Sequence, residues 1–111
     1  MHSASFQFDK ELPWEDLKNG LQRQLFGYDD KVMMVKIKFE KGAIGSMHEH
    51  PHHQVTYIES GVFDMTIDNV TKRLYAGDGY FVLPGLVHGI TCIEAGMLVD
   101  VFSPCREDFL G

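Results

Sequence analysis

Apolar and polar residues alternate along much of this chain with a period of two. In VKIKF (35–39), Val35, Ile37 and Phe39 fall on one side and Lys36 and Lys38 on the other. In VFDMTID (62–68), Phe63, Met65 and Ile67 oppose Asp64, Thr66 and Asp68. Successive side chains of a strand point to opposite faces, so both segments read as half-buried strands. Short runs rich in Val, Ile, Phe and Tyr predict further strands over Leu21–Phe26, Gln54–Ile58, Arg73–Tyr75, Tyr80–Leu83, Gly89–Ile93 and Met97–Phe102. Turn signals punctuate them at Asn19-Gly20, Gly27 with Asp29-Asp30, Lys41-Gly42, Ser60-Gly61, Asp68-Asn69, Gly77-Asp78-Gly79, Pro84-Gly85 and Glu94-Ala95-Gly96. A single helix is expected, over PWEDLKNG (13–20), with Pro13 suited to a first turn and Gly20 to a stop. Many short strands with regular turns predict an all-β sandwich or barrel. A chain of 111 residues with no repeat and no linker is one domain, 1–111.

Composition narrows the function. The chain carries 10 basic and 16 acidic residues, a formal net charge of −6, which disfavours a nucleic-acid partner. No apolar run is long enough to span a membrane, and MHSASFQFDKELPW has neither the basic start nor the apolar stretch of a secretory signal. Cytoplasmic location is expected. Cys92 and Cys105 are too few for a disulfide framework and read as packing or tail residues.

Four of the six histidines, His48, His50, His52 and His53, fall within HEHPHHQ (48–54). His48 and His50, two apart on an expected strand, project from one face with Cα atoms roughly 6–7 Å apart. Two such imidazoles can reach one metal at about 2.0–2.1 Å per bond. Gln54 opens the next strand, and His88 follows the turn at LPGLV, so both can return towards the same point. A solvated polar loop is the alternative, and His52 and His53, after Pro51, fit it. His2 reads as a terminal residue without a role. On Met97–Phe102, Leu98, Asp100 and Phe102 share one face, while the wholly apolar Met97, Val99 and Val101 face suits packing between sheets. An Asp on a strand needs a partner or a purpose. Arg106, after Pro104, could fold back as a fork for a carboxylate, and Arg23, between Leu21 and Leu25, is a weaker anion-binding candidate. A surface Asp with an unrelated tail Arg is the plainer reading of this pair.

Gly42, His48, His50, Gln54 and Gly61 are spaced like the first cupin signature, with glutamine in place of its acid, and GDGYFVLPGLVH (77–88) resembles the second, with Leu83 where proline is usual. This resemblance implies a cupin jelly-roll barrel with a metal site in its mouth. It also implies that residues 1–11 are an N-terminal extension, expected to be partly mobile, and that the 103–111 tail lies near the mouth. With three imidazoles and an amide, all ligands are neutral, so a divalent ion keeps about +2 of charge and should favour an anionic ligand. LPWEDLKNGLQRQLFGYDDKVMMVKIKFEKGAIGSMHEH (12–50) with DVFSPCREDFL (100–110) is similar to the KdgF group of single-domain cupins of pectin degradation. Members of that group open 4,5-unsaturated uronate monosaccharides, released from pectin or alginate, into linear keto sugar acids. The resemblance implies metal ligands His48, His50, Gln54 and His88, and catalytic-site residues Asp100, Phe102 and Arg106. Nickel, zinc, manganese, iron and cobalt all suit such a set. A homodimer is expected. The alternatives are a metal-dependent cupin oxygenase and a non-catalytic sugar-acid-binding cupin.

Overall fold

The computed structural model describes residues 1–111 and contains eight strands, all paired antiparallel: β1 (Glu15–Lys18), β2 (Leu21–Tyr28), β3 (Met33–Phe39), β4 (Ile44–His48), β5 (His53–Ile67), β6 (Val70–Tyr75), β7 (Gly79–Val82) and β8 (His88–Ser103). Two strands organise the rest. The first part of β5 pairs with β7 and with the last part of β8, which continues through β3 and β2 to β1. The second part of β5 pairs with β6 and with the first part of β8, which carries β4 on its other edge. Two sheets sharing two bent strands make the jelly-roll barrel of a cupin.

The alternation read from the sequence holds at the core. Val35, Phe39, Phe63 and Met65 are buried and Ile37 and Ile67 pack beside them, while Lys38 faces solvent. One cluster joins the sheets through Phe39, Ile58, Phe63, Met65, Cys92 and Leu98, with Phe39 and Phe63 edge to face at 5.1 Å. A second, smaller one, Met33, Val35, Phe102 and Cys105, lies beside the C-terminal tail. Both cysteines are free, buried thiols, as the packing reading expects.

Three sequence expectations are corrected. The PWEDLKNG helix is instead β1 and a hairpin. Lys18 pairs with Leu21 across Asn19-Gly20, whose φ angles of 54° and 84° are those of a two-residue hairpin turn. A stretch this short, with Leu17 as the one apolar residue inside β1, has no face to stabilise a helix, and pairing with β2 wins. Ser60-Gly61 and Glu94-Ala95-Gly96 are not turns between strands but the corners at which β5 and β8 bend, marked by shifts of register between them. Glycine is required there. A Cβ on Gly61, where φ is +89°, would stand 2.6 Å from the Glu94 carbonyl oxygen, and one on Gly96 would run into the Ser60 backbone. Gly61→Ala is therefore expected to lower stability by about 1–3 kcal/mol, read as a shifted midpoint in urea unfolding. The third correction concerns β8: the face turned inward is the one bearing Leu98, Asp100 and Phe102, and Met97, Val99 and Val101 lie outside, partly buried. The acid points inward because the interior at this end of the barrel is polar.

The N-terminal segment lies along β2. Ser3 N–H donates to the Tyr28 carbonyl, and the buried Gln24 amide donates to the Asp9 and Leu12 carbonyls. No helix is long and apolar enough to cross a membrane.

Candidate metal centre

His48 ends β4, His88 opens β8 directly opposite it in register, and Gln54 is the second residue of β5. His50 lies just beyond β4, in the turn to β5, rather than on the strand with His48. The turn nevertheless returns its ring to the others. The centroid separations are 5.6 Å for His48–His50, 4.3 Å for His48–His88 and 4.8 Å for His50–His88. One nitrogen from each lies within 4.8 Å of the other two.

Hydrogen bonding determines which nitrogen faces the centre. Each Nδ1 lies against a backbone carbonyl: Ser46 for His48 at 2.7 Å, His52 for His50 at 3.1 Å and Leu86 for His88 at 2.8 Å. A carbonyl only accepts, so each Nδ1 carries a proton and each ring turns its Nε2 inward, the atom that would serve as a metal ligand. The His88 Nε2 is buried without a hydrogen-bond partner. A buried polar atom left in this way is costly unless something else meets it.

Gln54 completes the picture. Its Nε2 donates to Thr56 Oγ1 at 3.1 Å and to Asp100 Oδ1 at 3.3 Å, which orients its Oε1 towards His50 Nε2, 2.9 Å away. With Nδ1 holding the proton, the two facing lone pairs at that distance need a cation or a proton between them. The spacing matches two ligands at right angles on one ion, which bonds of about 2.1 Å put roughly 3 Å apart. The donor set therefore fits a divalent transition metal, and the three histidines together could hold one.

Beside this cluster is a cavity of about 260 Å³ lined by His48, Gln54, His88, Asp100, Phe102 and Arg106, with Tyr80 and Arg23 further round its wall and Ile37, Phe39, Met65 and Leu98 as its apolar floor. Asp100 is buried, and burial raises its pKa to about 6 against the hydrogen bonds from Thr56 and Gln54, which favour its charged form. A cation at the histidines would draw it back down. Both hydrogen bonds fall on Oδ1, the shorter being the 2.6 Å bond from the Thr56 hydroxyl, which leaves Oδ2 free for another partner. Burial and the nearby Asp100 charge push the Tyr80 phenol far up, so it stays protonated. Arg106 reaches back from the tail to border the cavity: its guanidinium stacks 5.1 Å from the Phe102 centroid and forms paired hydrogen bonds with Asp108.

The polar-loop reading fits His53 but not His52, which is half-buried between His50 and Phe102 with its Nδ1 buried and unpartnered. His53 is exposed and stacks on Phe81, whereas His52 contributes its carbonyl to orient His50. Thr56 and Tyr80 are the site residues that sequence reasoning missed. Thr56 carried a signal, since it stands two residues from Gln54 and shares its strand face. A larger hollow of about 760 Å³, bordered by Asn19, Gly20, Glu40, Glu59 and Gly96, includes no histidine or cysteine.

Comparison with known proteins agrees with this architecture. The cupin domain model matches residues 35–102. The pectin degradation protein KdgF of Dickeya dadantii (strain 3937) is 41% identical over 104 residues, covering 92% of this chain and 94% of that protein. An RmlC-like cupin from Shewanella frigidimarina superposes with a TM-score of 0.96 at 46% identity, covering 97% of each chain. KdgF from Halomonas sp. superposes with a TM-score of 0.92 at 32% identity, covering 96% of this chain and 99% of that one. The chain is a cupin and belongs to the KdgF family.

Proposed function

We propose that this cupin opens the ring of 4,5-unsaturated uronate monosaccharides, with His48, His50, Gln54 and His88 holding one divalent transition metal. The observation that carries the reading is the buried carboxylate of Asp100, hydrogen-bonded to the amide that faces the histidines and bordering the same cavity. The Dickeya dadantii relative, named for pectin degradation, supports it.

The substrate is a cyclic hemiacetal whose C4=C5 double bond is conjugated to a carboxylate. Opening breaks the C1–O5 bond. The C1 hydroxyl gives up its proton and becomes an aldehyde, O5 leaves on C5 as an enolate, and C4 then takes a proton to give a C5 ketone. Atoms and electrons balance without an oxidant. Bound among neutral ligands, the metal supplies positive charge that stabilises oxyanions on the sugar acid. Asp100 takes the C1 proton on its free oxygen and returns one to C4, directly or through water; its Oδ1 is fixed by Thr56 and Gln54, so the other oxygen has a defined aim. Arg106 pairs with the substrate carboxylate, exchanging part of its contact with Asp108, and Phe102 offers an apolar face to the ring. The cavity is small enough to select a single sugar ring.

The product tests this directly. Turnover in deuterated water should leave one deuterium at C4 of a linear keto acid, read by NMR. An unchanged ring, or an oxygenated product formed with uptake of O₂, would be evidence against ring opening.

The homodimer reading also has an observation behind it. Across β3, β8, β5 and β7 the outward residues pair as Met34, Val101, Val55 and Phe81, and the next row brings Lys36, Val99 and Tyr57 together. Val55, Tyr57 and Phe81 are each about half-exposed. A contiguous apolar face with one charged residue is where two copies, each at −6, can meet with little repulsion. Tyr57→Glu should therefore give a monomer in sedimentation at concentrations where the unaltered chain is dimeric; an unaltered chain that sediments as a monomer would refute the dimer.

A further inference from the structure

Two arginines in the cavity wall share one aromatic ring. The Arg23 guanidinium carbon lies 4.0 Å from the centroid of Phe109, and that of Arg106 lies 4.3 Å from the same centroid. The two like charges are therefore closer than the sum of those distances. They come from unrelated parts of the fold, β2 and the C-terminal tail, yet both border the cavity that contains His48, His88 and Asp100.

Each arginine is arranged in the same way. The Arg23 side chain is 15% exposed and its partner Glu15, directly opposite on β1, is 44% exposed. The Arg106 side chain is 13% exposed and its partner Asp108 is 60% exposed. In both pairs the guanidinium sits inside and the carboxylate outside. They differ in how fully the cation is used. Arg106 makes two hydrogen bonds to Asp108, of 3.0 and 2.9 Å. Arg23 reaches Glu15 only at 3.5 and 3.3 Å, longer than the roughly 2.7–2.9 Å of a strong charge-assisted bond. An arginine has five donors in a rigid fork, and Glu15 engages two of them weakly. Its neighbours in the wall, Leu17, Leu21 and Ile37, are apolar and offer nothing else. No Arg23 nitrogen is both buried and unpartnered, so its spare donors stay open, and beside a second cation they suit an anion that can meet both.

Building on the uronate reading above, we propose that Arg23 is a second binding residue for the substrate carboxylate, which it grips together with Arg106 across Phe109, and that this pair sets the preference for charged sugar acids over neutral sugars. Glu15 then competes with the substrate for Arg23. The alternative is that the Arg23–Glu15 pair merely ties β1 to β2 and seats the tail. The two roles give opposite signs for Glu15→Gln: releasing Arg23 should tighten binding of an anion, whereas losing a structural tie should not.

The probe is D-galacturonate, which has a carboxylate but no double bond and so reports binding without turnover. Its methyl ester is the neutral control. Calorimetry on metal-loaded protein is expected to show Arg23→Met weakening galacturonate about 10- to 100-fold with little change for the ester. Arg23→Lys should recover part of the loss, and Glu15→Gln should tighten galacturonate about two- to fivefold at low salt. Equal binding of galacturonate by Arg23→Met and the unaltered protein would overturn the proposal, as would equal losses for acid and ester. If Arg23→Met does not fold, the other two variants decide, and Glu15→Gln with unchanged or weaker galacturonate binding overturns it. Unaltered protein that fails to bind galacturonate also overturns it. Protein that binds galacturonate through Arg23 yet leaves the unsaturated sugar closed would sink ring opening and leave Arg23 standing.

Discussion

Asp100→Asn is expected to cut turnover of the unsaturated uronate by about 10²–10⁴-fold while metal content and fold are retained. The substitution preserves the size of the side chain and leaves an oxygen to accept from the Thr56 hydroxyl, now at 2.6 Å from Asp100 Oδ1. It removes the basic oxygen that would take the C1 proton. The loss should appear in kcat more than in KM, because in the proposed mechanism Asp100 acts on the proton in flight rather than on the bound carboxylate. Metal analysis of the variant is part of the measurement, since Asp100 also touches Gln54. Full turnover with metal still bound would remove Asp100 from the chemistry, leaving Tyr80, fixed in its protonated form by burial, unable to serve as a base in its place.

The second large effect concerns the metal itself. His88→Ala should abolish tight metal binding and lose activity to the level of the chelator-treated protein. It should also lose the thermal response. A ligand that binds only the folded chain at about 100 times its Kd adds about 2.7 kcal/mol, which for a domain of this size is a rise in melting temperature of roughly 10 °C or more. The unaltered protein should show that rise with nickel, zinc, manganese, iron or cobalt, and the variant should not. Because the His88 Nε2 is buried and unpartnered, the metal-free variant should be no less stable than the metal-free parent by that atom's account. A variant that still melts higher with metal would mean that His88 is not a ligand.

Part of this candidate site was legible in the sequence for a physical reason, although the strand period expected of His48 and His50 does not hold, since His50 lies in the turn after β4. Gln54 at the start of β5 and His88 at the start of β8 follow turns whose residues announce themselves, and Asp100 betrays itself as an acid in an apolar run. What was not legible depends on pairing between distant segments. The sequence cannot show that the Ser60-Gly61 and Glu94-Ala95-Gly96 corners pack against each other, because locally each looks like an ordinary turn. Nor could it tell which face of β8 turns inward. Burial favours Met97, Val99 and Val101 by hydropathy alone, but the barrel places Asp100 inside, where Thr56 and Gln54 satisfy it. The PWEDLKNG segment failed for a related reason: hairpin pairing with β2 outweighed a weak local helix signal.

The central claim is that the histidine cluster and Asp100 together open a ring. The most direct measurement follows the ultraviolet band of the conjugated C4=C5 bond in 4,5-unsaturated galacturonate, with metal-loaded protein beside a His48→Ala control. The account predicts loss of the band faster than spontaneous opening, and loss of that acceleration in the control. No acceleration with any of the five metals would contradict it.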